Sequence, residues 1–169
     1  MEIGKVIGRG AQSVVYESEG YAIKIYRPGY DKAAIFFEAA VTSLIEQTGL
    51  AIPRVYEVVR IDDRFAVKMD YIKGISLNDC MKQDMEHVGH YIETLVDLQL
   101  AVQSKAIKLP FHLCDILKGR IEHTHSFDDS TKRRLLQRLA ELPRGDQLCH
   151  GDFHGYNVIK WDDGNFIID

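Results

Sequence analysis

His150-Gly151-Asp152-Phe153-His154-Gly155-Tyr156-Asn157 is the densest polar cluster in the chain. It runs directly into Val158-Ile159-Lys160-Trp161, Asp162-Asp163-Gly164-Asn165 and Phe166-Ile167-Ile168-Asp169. Two short apolar runs around Asp163-Gly164 read as a β-hairpin with a two-residue turn. In that register Asp162 pairs with Asn165, Trp161 with Phe166 and Ile159 with Ile168, while Val158 faces Asp169. The hairpin then carries Asn157 and Asp169 to one open end, beside the loop that holds Asp152. Three oxygen-bearing side chains converge there by strand pairing alone.

Such a trio suits an oxygen-ligated divalent cation. Mg²⁺ uses one or two protein oxygen ligands and completes its shell with water and substrate phosphates. Asn157 and Asp169 fit that task. Asp152, on the loop and outside the ligand pair, can orient a hydroxyl nucleophile and accept its proton. The order Asp, then Asn five residues on, then a later Asp matches the catalytic end of a phosphoryl-transfer site.

The other half of such a site must bind nucleotide phosphates, and the first third of the chain offers it. Residues 3–7, 13–17 and 21–26 read as strands, and Arg27-Pro28-Gly29 closes the third. A helix begins at the N-cap candidate Asp31, buries Ile35, Phe36, Ala39, Ala40, Leu44 and Ile45, and stops at Gly49. Strands at 55–61 and 65–71 follow, joined by Asp62-Asp63. Gly8-Arg9-Gly10-Ala11-Gln12-Ser13 turns between two of these strands, and its glycines allow a close backbone approach to phosphates. Lys24 shares a strand face with Ala22 and Tyr26, opposite Tyr21, Ile23 and Ile25. Either it is an edge lysine facing water, or Ala22 lies over a base and Lys24 reaches phosphates. In the second case Glu38 on the helix is its ion-pair partner, and Glu46, near the helix end, is the weaker choice.

After Gly74 the pattern turns helical, with helices expected at 76–82, 84–105, 112–122 and 130–142. The change near Ile72-Lys73-Gly74 divides a strand-rich unit, residues 1–72, from a helical unit, residues 73–169. Lys132-Arg133-Arg134 and Arg138 lie opposite Leu135, Leu136, Leu139 and Leu142, which reads as a solvated helix face. His123-Thr124-His125 lacks further close ligands and reads as a polar helix end.

Composition narrows the function. With 21 Lys and Arg against 25 Asp and Glu, the 169-residue chain carries a net charge of −4, which argues against a dedicated nucleic-acid binder. No apolar run has the length of a membrane span, and Met1-Glu2-Ile3-Gly4-Lys5 lacks a signal-peptide pattern, so a cytoplasmic location is expected. Cys80, Cys114 and Cys149 have no paired spacing and read as reduced thiols, two of them in the core.

Taken in order, Gly8 to Val15, Ala22-Ile23-Lys24, Glu38, Met69-Asp70-Tyr71-Ile72, His150-Gly151-Asp152, Asn157 and Asp169 resemble the protein-kinase-like superfamily. Within it they look most like the aminoglycoside phosphotransferase and choline kinase family. The resemblance covers nearly the whole chain. It implies an α+β, bilobal protein-kinase-like fold, with an N-lobe of a five-stranded antiparallel sheet plus a helix and a mainly helical C-lobe. MgATP, in some members MgGTP, binds between the lobes. Asp152 resembles the catalytic aspartate, Asn157 and Asp169 the metal ligands, Lys24 the phosphate-binding lysine and Glu38 its partner. The resemblance further puts Ile7, Val15 and Ala22 against adenine, with main-chain hydrogen bonds from Asp70 and Ile72. Gly8, Gly10 and Ser13 belong to the phosphate loop, His154 approaches the γ-phosphate, and His150 packs behind.

His-Gly-Asp, where protein kinases have His-Arg-Asp, and the two helical patterns before His150 point to small-molecule kinases. The expected activity is transfer of the γ-phosphate to a hydroxyl of an aminoglycoside-, choline- or sugar-like acceptor. A protein Ser/Thr kinase and a catalytically incomplete nucleotide-binding module are the alternatives. A two-metal phosphoesterase would need an upstream Asp-x-His and a downstream Asn-His pair, and the sequence has neither. Since the family continues past the last metal-binding Asp, the C-lobe is expected to be truncated here, with self-association through its uncovered apolar face.

Overall fold

The computed structural model describes residues 3–168. The first unit is a five-stranded antiparallel sheet in the order β1-β2-β3-β5-β4. Its strands are β1 (Val6–Arg9), β2 (Ser13–Ser18), β3 (Tyr21–Tyr26), β4 (Val55–Ile61) and β5 (Arg64–Asp70), with helix α1 (Lys32–Glu46) between β3 and β4. Asp31 caps α1 as expected, its carboxylate accepting the Ala33 N–H at 3.0 Å. Glu46, weighed as a partner for Lys24, instead accepts the Val55 N–H at 2.8 Å and anchors the start of β4.

Alternation along β3 sorts its side chains into two cores. Tyr26 packs with Ile35 and Ala39 of α1 and with Val67. Ile23 and Ile25, on the other face, pack with Ala66 and the partly buried Ile3, Tyr16 and Val59. Lys24 therefore lies on the central strand of the sheet and is only 8% exposed, which removes the water-facing reading.

The chain leaves this sheet at Asp70 and enters β6 (Ile75–Ser76), α2 (Leu77–Gln83), a 3₁₀ turn (Met85–His87), α3 (Val88–Gln103), α4 (Leu113–His123) and α5 (Asp129–Glu141). The helix expected over 84–105 is thus interrupted at its start, where the Asp84 carboxylate holds His87 Nδ1 at 2.9 Å. A second 3₁₀ turn (Gly155–Asn157) leads to β7 (Val158–Trp161) and β8 (Gly164–Ile167), which form a three-stranded sheet with β6. Gly74 enters β6 so close to β7 that a Cβ there would lie 1.9 Å from the Lys160 carbonyl oxygen.

The expected hairpin is present with its register moved by two residues. Val158 pairs with Ile167, Ile159 with Phe166, and Trp161 with Gly164, so Asp162-Asp163 makes the turn and Asp162 takes φ 49°. A two-residue shift leaves the alternation of faces unchanged.

Val102 of α3, Leu148 and Ile167 form a core that also takes in Ile45 of α1, Leu50 and Ile52, and the Ile167 N–H donates to Ala51 O at 2.8 Å. These contacts join the two units. Elsewhere the helices bury little: Val102 is the only buried residue of α3, and α4 and α5 have none. Among the cysteines only Cys80 is buried, which corrects the expectation of two core thiols. His123 Nδ1 lies 2.7 Å from Gly119 O, at a helix end. Among the described residues no helix is long and apolar enough to cross a membrane.

Candidate active site between the two units

Residues paired directly across strands share a face. Val15 pairs with Lys24, Lys24 with Val67, and Ala22 with Met69, so the strand ladders alone assemble one wall of a cleft. The cleft has a volume of about 2040 Å³. Ile7, Gly8, Gly10, Ser13, Val15, Ala22, Lys24, Glu38, Asp70, Ile72 and Asn157 all line it, together with His150, Gly151, Tyr156 and Ile168. It also continues along apolar residues such as Leu109, Leu117 and Leu139, which makes it larger than the ~300–1,000 Å³ of most small-molecule pockets.

Lys24 Nζ donates to Glu38 Oε1 at 2.9 Å, and the Tyr26 hydroxyl donates to the same oxygen at 2.6 Å. The pairing of β3 with α1 thus brings Lys24 and Glu38 together as expected. In the glycine-rich turn, Gly10 N donates to Ser13 O at 2.9 Å. Neither Gly8 nor Gly10 has a positive φ, and a Cβ on either would come no closer than 3.6 Å to its neighbours. The turn's own conformation does not demand glycine at either position.

At the edge of the cleft, Asp70 is held by its side chain. Its carboxylate accepts the Arg54 N–H at 3.0 Å and the Tyr56 hydroxyl at 2.7 Å, and its own N–H donates to Arg54 O at 3.0 Å. The bond to the Asp70 carboxylate raises the Tyr56 hydroxyl above its ordinary pKa, because ionised Tyr56 would face a second negative charge. The Asp70 N–H is therefore spent on Arg54 and not on the cleft.

Across the cleft, the loop carrying Asp152 is shaped by side-chain-to-backbone hydrogen bonds. Gly151 has φ 90°, a conformation that a residue with a Cβ rarely adopts. His150 Nδ1 accepts the Asp152 N–H at 3.3 Å, and its Nε2 lies 3.3 Å from Ile168 O, tying the loop to the end of β8. Asn157 Nδ2 donates to the Asp152 carbonyl at 3.0 Å and sits 3.5 Å from Asp152 Oδ2. The expected juxtaposition of Asp152 and Asn157 is present. Asp169, expected as the second metal ligand, lies outside the described residues. Asp152 and His154 do not themselves line the cleft; they adjoin its lining residues Gly151, Tyr156 and Asn157, with the Asp152 side chain 76% exposed.

One group in this region went unmarked in the sequence. Lys82 Nζ on α2 donates to the Tyr156 hydroxyl at 2.7 Å and pairs with Asp79 at 3.3 Å. The Tyr156 bond raises the Lys82 pKa, and Ser76, which caps α2 and donates to Asp79 at 2.7 Å, lowers that of Asp79. The spacing Ser76-x-x-Asp79 is a capping signal visible in sequence, whereas the Lys82–Tyr156 contact spans 74 residues and is not.

A sequence profile described as the phosphotransferase enzyme family matches residues 4–169. No curated protein sequence matches the chain significantly. Among solved structures, the chain is similar to a thermostable mutant of aminoglycoside phosphotransferase APH(4)-Ia in its apo form, with TM-score 0.66, 17% identity, and coverage of 100% of this chain and 66% of that one. A ternary complex of a thermostable mutant of that protein with ADP and hygromycin B gives TM-score 0.65 at 15% identity, covering 98% and 65%. The M. tuberculosis PknI kinase domain gives TM-score 0.51 at 16% identity, covering 99% and 56%. These likenesses establish the α+β kinase-like fold, and the chain spans about two thirds of the length of the phosphotransferase structures.

Proposed function

The chain belongs to the phosphotransferase enzyme family, and from that membership and the cleft we propose that it transfers the γ-phosphate of ATP to a hydroxyl of a small molecule. The observation that carries this reading is the Lys24–Glu38 pair on one wall of a cleft whose opposite wall holds Asn157, bonded to Asp152. Adenine lies against Ile7, Val15 and Ala22, with hydrogen bonds to the Asp70 carbonyl and the Ile72 N–H. The phosphates run under Gly8, Gly10 and Ser13 to Lys24, whose ammonium Glu38 holds in place. Glycines that the turn does not itself require are what close approach of another molecule would require.

The donor set suits Mg²⁺. Asn157 commits Nδ2 to Asp152, which leaves its Oδ1 as an oxygen ligand. Asp169 would be the second protein ligand, and phosphate oxygens and water would complete the shell. Bound there, Mg²⁺ would neutralise charge on the β- and γ-phosphates. Asp152 takes the proton of the acceptor hydroxyl as that oxygen bonds to the γ-phosphorus. The bond from phosphorus to the β,γ-bridging oxygen breaks, and its electron pair leaves with ADP. Positioning supplies most of the rate.

The experiment is a thermal-shift measurement with AMP-PNP with and without Mg²⁺, followed by ADP formation over a panel of hydroxylated metabolites and aminoglycosides. A Mg²⁺-dependent shift and one stimulating acceptor are expected. No shift overturns the reading, and a shift without any turnover supports a nucleotide-binding module instead.

A further inference from the structure

Resting on the phosphotransferase reading above, the geometry points to His154 as a positioning residue for Asp152. It selects which carboxylate oxygen serves as the base. His154 begins the 3₁₀ turn Gly155–Asn157, and its Nδ1 accepts the Tyr156 N–H at 3.3 Å. A ring nitrogen that accepts carries no proton, so the neutral ring bears its proton on Nε2. That Nε2 lies 3.5 Å from Asp152 Oδ2, the same oxygen that Asn157 Nδ2 approaches at 3.5 Å. Two donors thus face Oδ2. The other oxygen, Oδ1, is left on a side chain that is 76% exposed beside the cleft residues Gly151 and Asn157. Catalytic hydrogen bonds are often long before substrate closes a site, and the approach of an acceptor would tighten both contacts.

Both ring nitrogens of His154 thus face groups of the protein, so the ring serves Asp152 and not the γ-phosphate. In the reaction the acceptor hydroxyl gives its proton to Asp152 Oδ1, while Oδ2 stays bound to the two donors. Its oxygen bonds to phosphorus, and ADP leaves with the electron pair.

Three variants of the full chain separate the two contacts of the ring. Asn places a polar atom where Nδ1 stands and keeps the Tyr156 contact; Gln places one where Nε2 stands and keeps the Asp152 contact. The readout is ADP formation from MgATP with water as the acceptor. His154→Ala and His154→Asn are expected to lower kcat about tenfold, the scale of one hydrogen bond to a charged group, with KM for MgATP nearly unchanged. His154→Gln is expected to recover most of that loss. Recovery by Asn and not by Gln would reduce His154 to a cap of the turn, and a raised KM at unchanged kcat would return it to the phosphates; either overturns the inference.

Imidazole ¹⁵N spectra of the chain without nucleotide give an independent reading. A protonated Nε2 whose signal moves on Asp152→Ala is expected. A protonated Nδ1, or no response to that substitution, overturns it. Absence of any MgATP binding by the unsubstituted chain counts against the phosphotransferase reading, and the spectra still decide the His154–Asp152 contact.

Discussion

Lys24 sits on the central strand of a five-stranded sheet with its side chain 10% exposed, whereas Asp152 sits on a loop with its side chain 76% exposed. Ladders to β2 and β5 and the cores on either face of β3 hold the lysine. A handful of bonds from His150 and Asn157 hold the aspartate. Regular structure spreads the positioning of a side chain over many backbone bonds, while a loop concentrates it in a few side chains. Substitutions near Lys24 should therefore act mainly through stability, and those near Asp152 mainly through chemistry.

Asp152→Asn probes the loop with the largest expected effect. ADP formation should fall by about 10²–10⁴-fold, the range for loss of a positioned base. The thermal midpoint and the AMP-PNP shift should stay where they are, and undiminished turnover would break the comparison. Ile23→Ala probes the sheet. Ile23 is fully buried, and its truncation should cost about 2–5 kcal/mol in urea denaturation. A loss below about 1 kcal/mol would mean that the sheet core is looser than its burial indicates.

Gly74→Ala tests the seam between β6 and β7, where the Lys160 carbonyl leaves no room for a Cβ. A loss of about 1–3 kcal/mol is expected. Glu38→Ala tests the contact between the sheet and the nucleotide. It removes the carboxylate that receives both Lys24 and Tyr26, and MgATP should bind about tenfold more weakly, or ~1.4 kcal/mol by titration calorimetry. Unchanged affinity would detach the ion pair from nucleotide binding. Asp31→Ala is the smallest, at about 1 kcal/mol for a lost helix cap, read from the thermal midpoint.

Much of the sheet is legible in the sequence itself. The β-branched and aromatic runs at 21–26 and 55–61 coincide with β3 and β4, and Asp31 marks the start of α1, because these features act through neighbouring residues. The hairpin register is not. Asp162-Asp163-Gly164 can turn at either of two pairs, and β7 is also held by β6 and β8 by Ala51, contacts from distant parts of the chain. For the site, the Lys24–Glu38 pair and the closeness of Asp152 to Asn157 followed from strand-face and spacing arguments, and both are present. The link from Lys82 to Tyr156 had no local signal.

The sequence alone determined which chemical groups the chain owns and in what order: a glycine-rich turn, a strand lysine, a helix glutamate, and an aspartate followed five residues on by an asparagine. Only the tertiary structure decided that Lys24 is buried and that His154 Nε2 and Asn157 Nδ2 both come within 3.5 Å of Asp152 Oδ2. Residue type and spacing act along the chain, whereas burial and hydrogen-bond partners are set by segments that meet only when the chain has folded.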